Sequence, residues 1–82
     1  MYGESSKEVA AIRNNLASLY EDQKKYTDAL AEYENSLSIY QAICGKDSLE
    51  VAEVHEDIAM LYRIQKTYPD ALSSYQKALI IY

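Results

Sequence analysis

The chain has 82 residues, enough for one small domain, and its 8 Lys and Arg against 13 Asp and Glu leave a formal charge of −5. That acidic balance excludes the basic stripe a nucleic-acid binder needs to meet phosphate. No run approaches the ~20 consecutive apolar residues of a membrane span, and the lone Cys44 excludes an internal disulfide.

The opening Met1-Tyr2-Gly3-Glu4-Ser5-Ser6 has neither the basic flank nor the apolar run of a signal peptide. A cytoplasmic location is therefore expected. Ser5 with Glu8 has the spacing of a capping box, in which a short side-chain oxygen takes an orphan amide and a carboxylate three residues on reaches back. A first helix should start there. Val9, Ile12, Leu16, Leu19 and Tyr20 then follow helical spacing with one buried face. Gln23-Lys24-Lys25 ends it, with cations at the negative end of the dipole.

Tyr26-Thr27-Asp28 opens a second helix whose apolar positions are Tyr26, Leu30, Tyr33, Leu37 and Tyr40, with Ala29 allowing a close approach. It reaches Ile43-Cys44 and stops at Gly45, a residue that takes the left-handed conformation cheaply. Asp47 with Glu50 repeats the capping-box spacing, so a third helix is predicted from about Ser48 to Gln65 and a fourth from Pro69 to the end. Proline suits a first helical position and independently marks the turn. No segment alternates with period two, so no strand is predicted.

The second half copies the first at an offset of 42 residues. Gly3, Ser6, Glu8, Val9, Ala10, Ala17, Leu19 and Tyr20 recur identically, as do Gln23, Lys24, Tyr26, Asp28, Ala29, Leu30, Tyr33, Leu37, Ile39 and Tyr40. One register held through two caps and two turns is a true repeat, and repeats of this length point to stacked helical hairpins. The units expected are 3–44 and 45–82, in a single domain spanning 1–82.

In these positions the chain resembles the tetratricopeptide repeat. Leu16, Ala17, Tyr20, Ala29, Tyr33 and Ser36 match that family's small and large packing positions, and recur as Ile58, Ala59, Tyr62, Ala71, Tyr75 and Ala78. The 42-residue period and Asn14-Asn15-Leu16-Ala17-Ser18-Leu19-Tyr20 are most similar to the longer repeats of kinesin light chains. The resemblance implies an all-α fold, two antiparallel hairpins forming a fragment of a right-handed α-solenoid, and a non-enzymatic protein-interaction module. Three features depart from the family. Lys24 and Lys66 stand where a turn glycine is usual, so left-handed geometry there carries strain. Arg13 and His55 replace an apolar knob, and the chain ends on apolar Leu79-Ile80-Ile81-Tyr82 rather than a polar cap.

The resemblance further implies a concave face lined by the first helix of each repeat, with peptide contacts at Asn14, Asn15, Ser18 and Asp22 and at Glu53, Glu56, Asp57 and Met60. Ala11 and Ile64 share that face, with Glu21 and Arg63 at its edge. Its acidity predicts a protein or peptide partner carrying Lys or Arg, held in a salt-dependent way. The same residues also read as a solvated acidic face. The alternative function is a structural building block, or an excised or engineered piece of a longer array, that self-associates through Leu79, Ile80, Ile81 and Tyr82, as a homo-oligomer or by helix exchange, because an uncapped apolar end invites association. Neither cofactor nor metal is expected: His55-Glu56-Asp57 lacks the second histidine of a zinc helix, and Cys44 has no base nearby in sequence. His55 reads as a partly buried packing residue.

Overall fold

The computed structural model of the chain describes residues 6–82. Four helices follow in order, α1 (Lys7–Asp22), α2 (Tyr26–Cys44), α3 (Leu49–Ile64) and α4 (Tyr68–Ile81), and the described residues contain no strand. The architecture is the expected all-α pair of hairpins. Each helix packs on the next, α1 on α2, α2 on α3 and α3 on α4, and the Cα trace fills a slab of 39 × 30 × 12 Å. In a slab that thin every helix keeps one face in water, which is why tyrosine, with a burying ring and a wettable hydroxyl, serves as its aromatic residue.

Small residues let the helices approach within each hairpin. Ala10, Ala17 and Ala29 are fully enclosed, as are Ala52 and Ala59, with Ala71 and Ala78 nearly so. The Ser36 hydroxyl, enclosed between α1 and α2, donates to the Ala10 carbonyl at 2.9 Å. Between hairpins the core is larger. Val54, Ile58 and Leu61 of α3 join Ala17, Ala29 and Tyr33, with Tyr20, Tyr26, Leu30, Leu37, Tyr40 and Tyr62 packed against them. Burying a side chain such as Leu61 is worth ~1.5–3 kcal/mol, so the enclosed Val54, Ile58 and Leu61 make this middle interface a substantial apolar contribution to the fold.

Both helical turns close in the same way. The amide of Lys25 donates to the Tyr20 carbonyl at 2.8 Å and that of Lys24 to Glu21 at 2.9 Å. Thr67 to Tyr62 and Lys66 to Arg63 repeat the pair at 2.8 and 2.9 Å, the hydrogen-bond pattern of a Schellman C-cap. Lys24 (φ 64°) and Lys66 (φ 63°) are left-handed, as is Gly45 (φ 93°) after α2. The strain expected at the two lysines is therefore present, at roughly 1–2 kcal/mol each.

Four local expectations are corrected. The observed N-caps are Ser6 and Ser48, whose hydroxyls accept from Val9 N at 3.1 Å and Val51 N at 3.2 Å. Asp47 is therefore not the cap, and Ser5 lies outside the described residues. The later start puts Glu50 second in α3, where it pairs with Lys7 at 3.3 Å instead of closing a box. Lys24 and Lys25 fall beyond the end of α1 at Asp22, in the turn itself. Pro69 is the second residue of α4, still in the first turn, where its missing N–H has no intrahelical role. Finally, Ile12 is 64% and Leu19 53% exposed, not buried. No element of the described chain packs on that side of α1, whereas their counterparts Val54 and Leu61 are covered by α2.

Candidate functional site

α1 and α3 are the first helices of the two hairpins, and polar side chains tie them together. Lys7 meets Glu50 at 3.3 Å, and Asn14 Nδ2 donates to Asp57 Oδ2 at 3.1 Å. These contacts place the expected residues of α1 and α3 on neighbouring ridges, but not all in the same condition. Asn15, Ser18, Asp22, Glu53, Glu56 and Met60 are exposed, whereas Asn14 and Asp57 are half-buried and committed to each other. Among the described residues Asn14 Oδ1 is enclosed without a hydrogen-bond partner, a cost of about 1–3 kcal/mol.

The electrostatics of this wall follow from burial and from few cations. Burial raises the pKa of Asp57 above the ordinary aspartate value, and neighbouring Glu56 and Glu53 add to the rise against the opposing Asn14 hydrogen bond. At the exposed end, Glu50 is lowered, first by its own backbone amide and then by Lys7. Glu21 Oε1 accepts from the Tyr33 hydroxyl at 3.1 Å. Burial and that carboxylate both hold the buried phenol well above its ordinary value. At the equivalent place in the second hairpin the charge is reversed, and Arg63 donates to the Tyr75 hydroxyl at 3.3 Å. Met60, Arg63 and Ile64 line an open depression of about 160 Å³, with Met60 49% and Ile64 47% exposed. The surface is thus a strip of carboxylates ending in an apolar notch.

The two residues that depart from the packing pattern also have physical accounts. Arg13 reaches from α1 to Glu32 of α2 at 2.9 Å and joins the two helices of the first hairpin. His55, its counterpart, is partly buried, and burial followed by Lys77 lowers its pKa. Among the described residues no group of three or more His, Cys, Asp and Glu is placed to hold a metal ion, and no helix is long and apolar enough to cross a membrane.

Of the four residues singled out at the end of the chain, Leu79, Ile80 and Tyr82 are 71%, 81% and 59% exposed, while Ile81 is partly buried. Their counterparts separate them further. Leu79 and Tyr82 repeat Leu37 and Tyr40, which pack on the inter-hairpin core, whereas Ile80 repeats the exposed Ser38. The apolar end face also includes Tyr68 and Leu72, 59% and 58% exposed, which the reading of the sequence did not single out. The signal was present in the 42-residue offset, since they repeat the core-packed Tyr26 and Leu30.

Residues 8–82 match the family model described as tetratricopeptide repeat. The fold is similar to the crystal structure of BtubC (BKLC) from P. vanneervenii, with a TM-score of 0.93 and 32% identity over 95% of this chain. The match spans 31% of that protein's chain. No curated protein matches the sequence. Repeats of this kind are in general non-catalytic modules of protein–protein interaction, and the chain belongs to the tetratricopeptide repeat family.

Proposed function

We propose that the face formed by α1 and α3 holds an extended peptide segment that carries Lys or Arg together with one apolar side chain. The observation that carries this reading is the juxtaposition of exposed Glu53, Glu56 and Asp22 with the notch lined by Met60, Arg63 and Ile64. Carboxylates attract the basic side chains and the notch takes the apolar one. Asn15 offers an amide that donates to and accepts from a peptide backbone. Helices fixed by the inter-hairpin core hold these groups in place before binding, so little entropy is lost on ordering them. The protein's role in this reading is recognition, with no bond made or broken.

Fluorescence anisotropy with two labelled peptides, one alternating Lys and Leu and one alternating Glu and Leu, tests the reading. The basic peptide should bind, and should weaken several-fold between about 50 and 300 mM NaCl as exposed charges are screened. Met60→Ala should weaken it at all salt concentrations, while Glu53→Gln with Glu56→Gln should flatten the salt dependence. Preference for the Glu peptide, or binding indifferent to salt and to both substitutions, contradicts the reading.

A further inference from the structure

The two outer faces of the described residues repeat the two halves of their middle interface. At the middle, the α2 face bearing Tyr26, Leu30, Leu37 and Tyr40 packs on the α3 face bearing Val54, Ile58 and Leu61. The α4 counterparts of the first face, Tyr68, Leu72, Leu79 and Tyr82, are all more than half exposed. The α1 counterparts of the second include Ile12 and Leu19, also more than half exposed. We propose that a second copy of this chain docks head to tail, its α1 lying on α4 as α3 lies on α2.

The polar contacts between first helices give the register and support it independently. Within the chain, Lys7 reaches Glu50 and Asn14 reaches Asp57. Each is one step of seven residues along α1, meeting the residue one place further on in the next repeat. Carried forward by 42 residues, the second step brings Glu56 of one copy against Asn15 of the next, an amide–carboxylate pair with the roles exchanged. The third step brings Arg63 against Asp22, a cation against an anion, where the same offset inside the chain pairs Glu21 with Ile64 in sequence only. The first step, Leu49 against Glu8, carries no such pair. All four groups of the two complementary pairs are exposed, and within one copy Glu56 also accepts from the Tyr82 hydroxyl and Arg63 donates to the Tyr75 hydroxyl, each at 3.3 Å. The contact is heterologous, so each dock leaves one head and one tail free, and association is open-ended rather than stopping at a dimer. This inference shares Asn15, Asp22, Glu56 and Arg63 with the peptide reading but rests on the two outer apolar faces, and its test reads mass rather than peptide binding.

Sedimentation equilibrium of three proteins tests it. Ile12→Glu with Leu19→Glu closes the head, and Leu72→Glu with Leu79→Glu closes the tail. All four side chains are over half exposed in the single copy, and far-UV circular dichroism confirms that the variants fold. The unmodified chain should gain mass steadily between about 10 µM and 1 mM, the range in which a small interface is read. Each variant alone should remain monomeric, and an equimolar mixture should form a dimer that grows no further. Arg63→Asp should weaken association about threefold, as a rim ion pair does, and Asp22→Arg on the partner copy should restore it. An unmodified chain that stays monomeric throughout overturns the proposal and leaves the two faces to some other occupant. A head-closed variant that dimerises alone shows tail-to-tail pairing and overturns it as well, and failure of the charge exchange to restore affinity overturns the register.

Discussion

Leu19 and Leu61 are the same residue at the same place in two copies of one motif, and they differ in what covers them. Leu61 is 0% exposed beneath α2, and Leu19 is 53% exposed. Replacing each by alanine therefore separates inter-hairpin packing from everything else a leucine does in a helix. Leu61→Ala removes buried methyl groups and leaves a cavity, a loss of about 2–5 kcal/mol. A chain of this length has a total stability of roughly 4–12 kcal/mol, so the substitution removes a large share. With about 4–8 °C in Tm per kcal/mol for a domain of this size, the melting point should fall by at least ~8 °C. Leu19→Ala leaves no cavity, and alanine is at least as good a helix former. Its cost should stay below about 1 kcal/mol, as for other surface sites. The assay is thermal and urea denaturation followed by far-UV circular dichroism at about 5 µM, dilute enough that self-association does not add to the apparent stability. Losses for the two variants within about 0.5 kcal/mol of each other, the usual spread of surface substitutions, would refute the stacking account.

Three further outcomes are expected. Lys24→Gly and Lys66→Gly each relieve a left-handed residue at the cost of a looser unfolded chain, and should stabilise by about 0.5–1 kcal/mol apiece, read as a rise in the urea midpoint. For His55 the folded pKa lies below the unfolded one, so the unfolded state takes up protons first. Stability should fall as pH drops below about 6.5, and His55→Gln should remove that part of the slope in melts between pH 7 and 5. Asp57 is shifted the other way. Its protonated form suits the fold, that advantage is complete below the ordinary aspartate value, and it is lost as pH rises through the higher folded value. Asp57→Asn should therefore raise Tm at pH 7, with the gain shrinking toward acid. A constant gain at every pH would assign it to something other than buried charge.

The fold was legible because the sequence states it twice. Helical spacing alone allows many arrangements, but the exact return of Leu19-Tyr20, Tyr26, Asp28-Ala29-Leu30 and Tyr33 at one offset admits only stacked hairpins. Turn chemistry was legible to within one residue. A serine and an acidic neighbour compete for the cap at 47–48; Ser48 takes it, as Ser6 does in the first repeat, and Glu50 instead meets Lys7 of the other repeat, a contact local patterning does not carry. Burial was the least legible property. Ile12 and Leu19 have the spacing of core residues, yet each is enclosed only if another helix lies outside it. The same holds for the face proposed to hold a peptide. Asn14 and Asn15 are alike in sequence, and only the packing of α3 beside α1 commits Asn14 to Asp57 and leaves Asn15 exposed.

Native-state hydrogen exchange, resolved by residue, is the most direct test of the claim that stability resides in the packing of one hairpin on the next. In a linear stack each helix is held by its neighbours, and α2 and α3 have a packed helix on both sides while α1 and α4 have one. The slowest amides should lie in the middle turns of α2 and α3, around Tyr33 and Ile58, with α1 and α4 exchanging faster. Slowest exchange in α1 or α4, or equal rates in all four helices, would contradict the account.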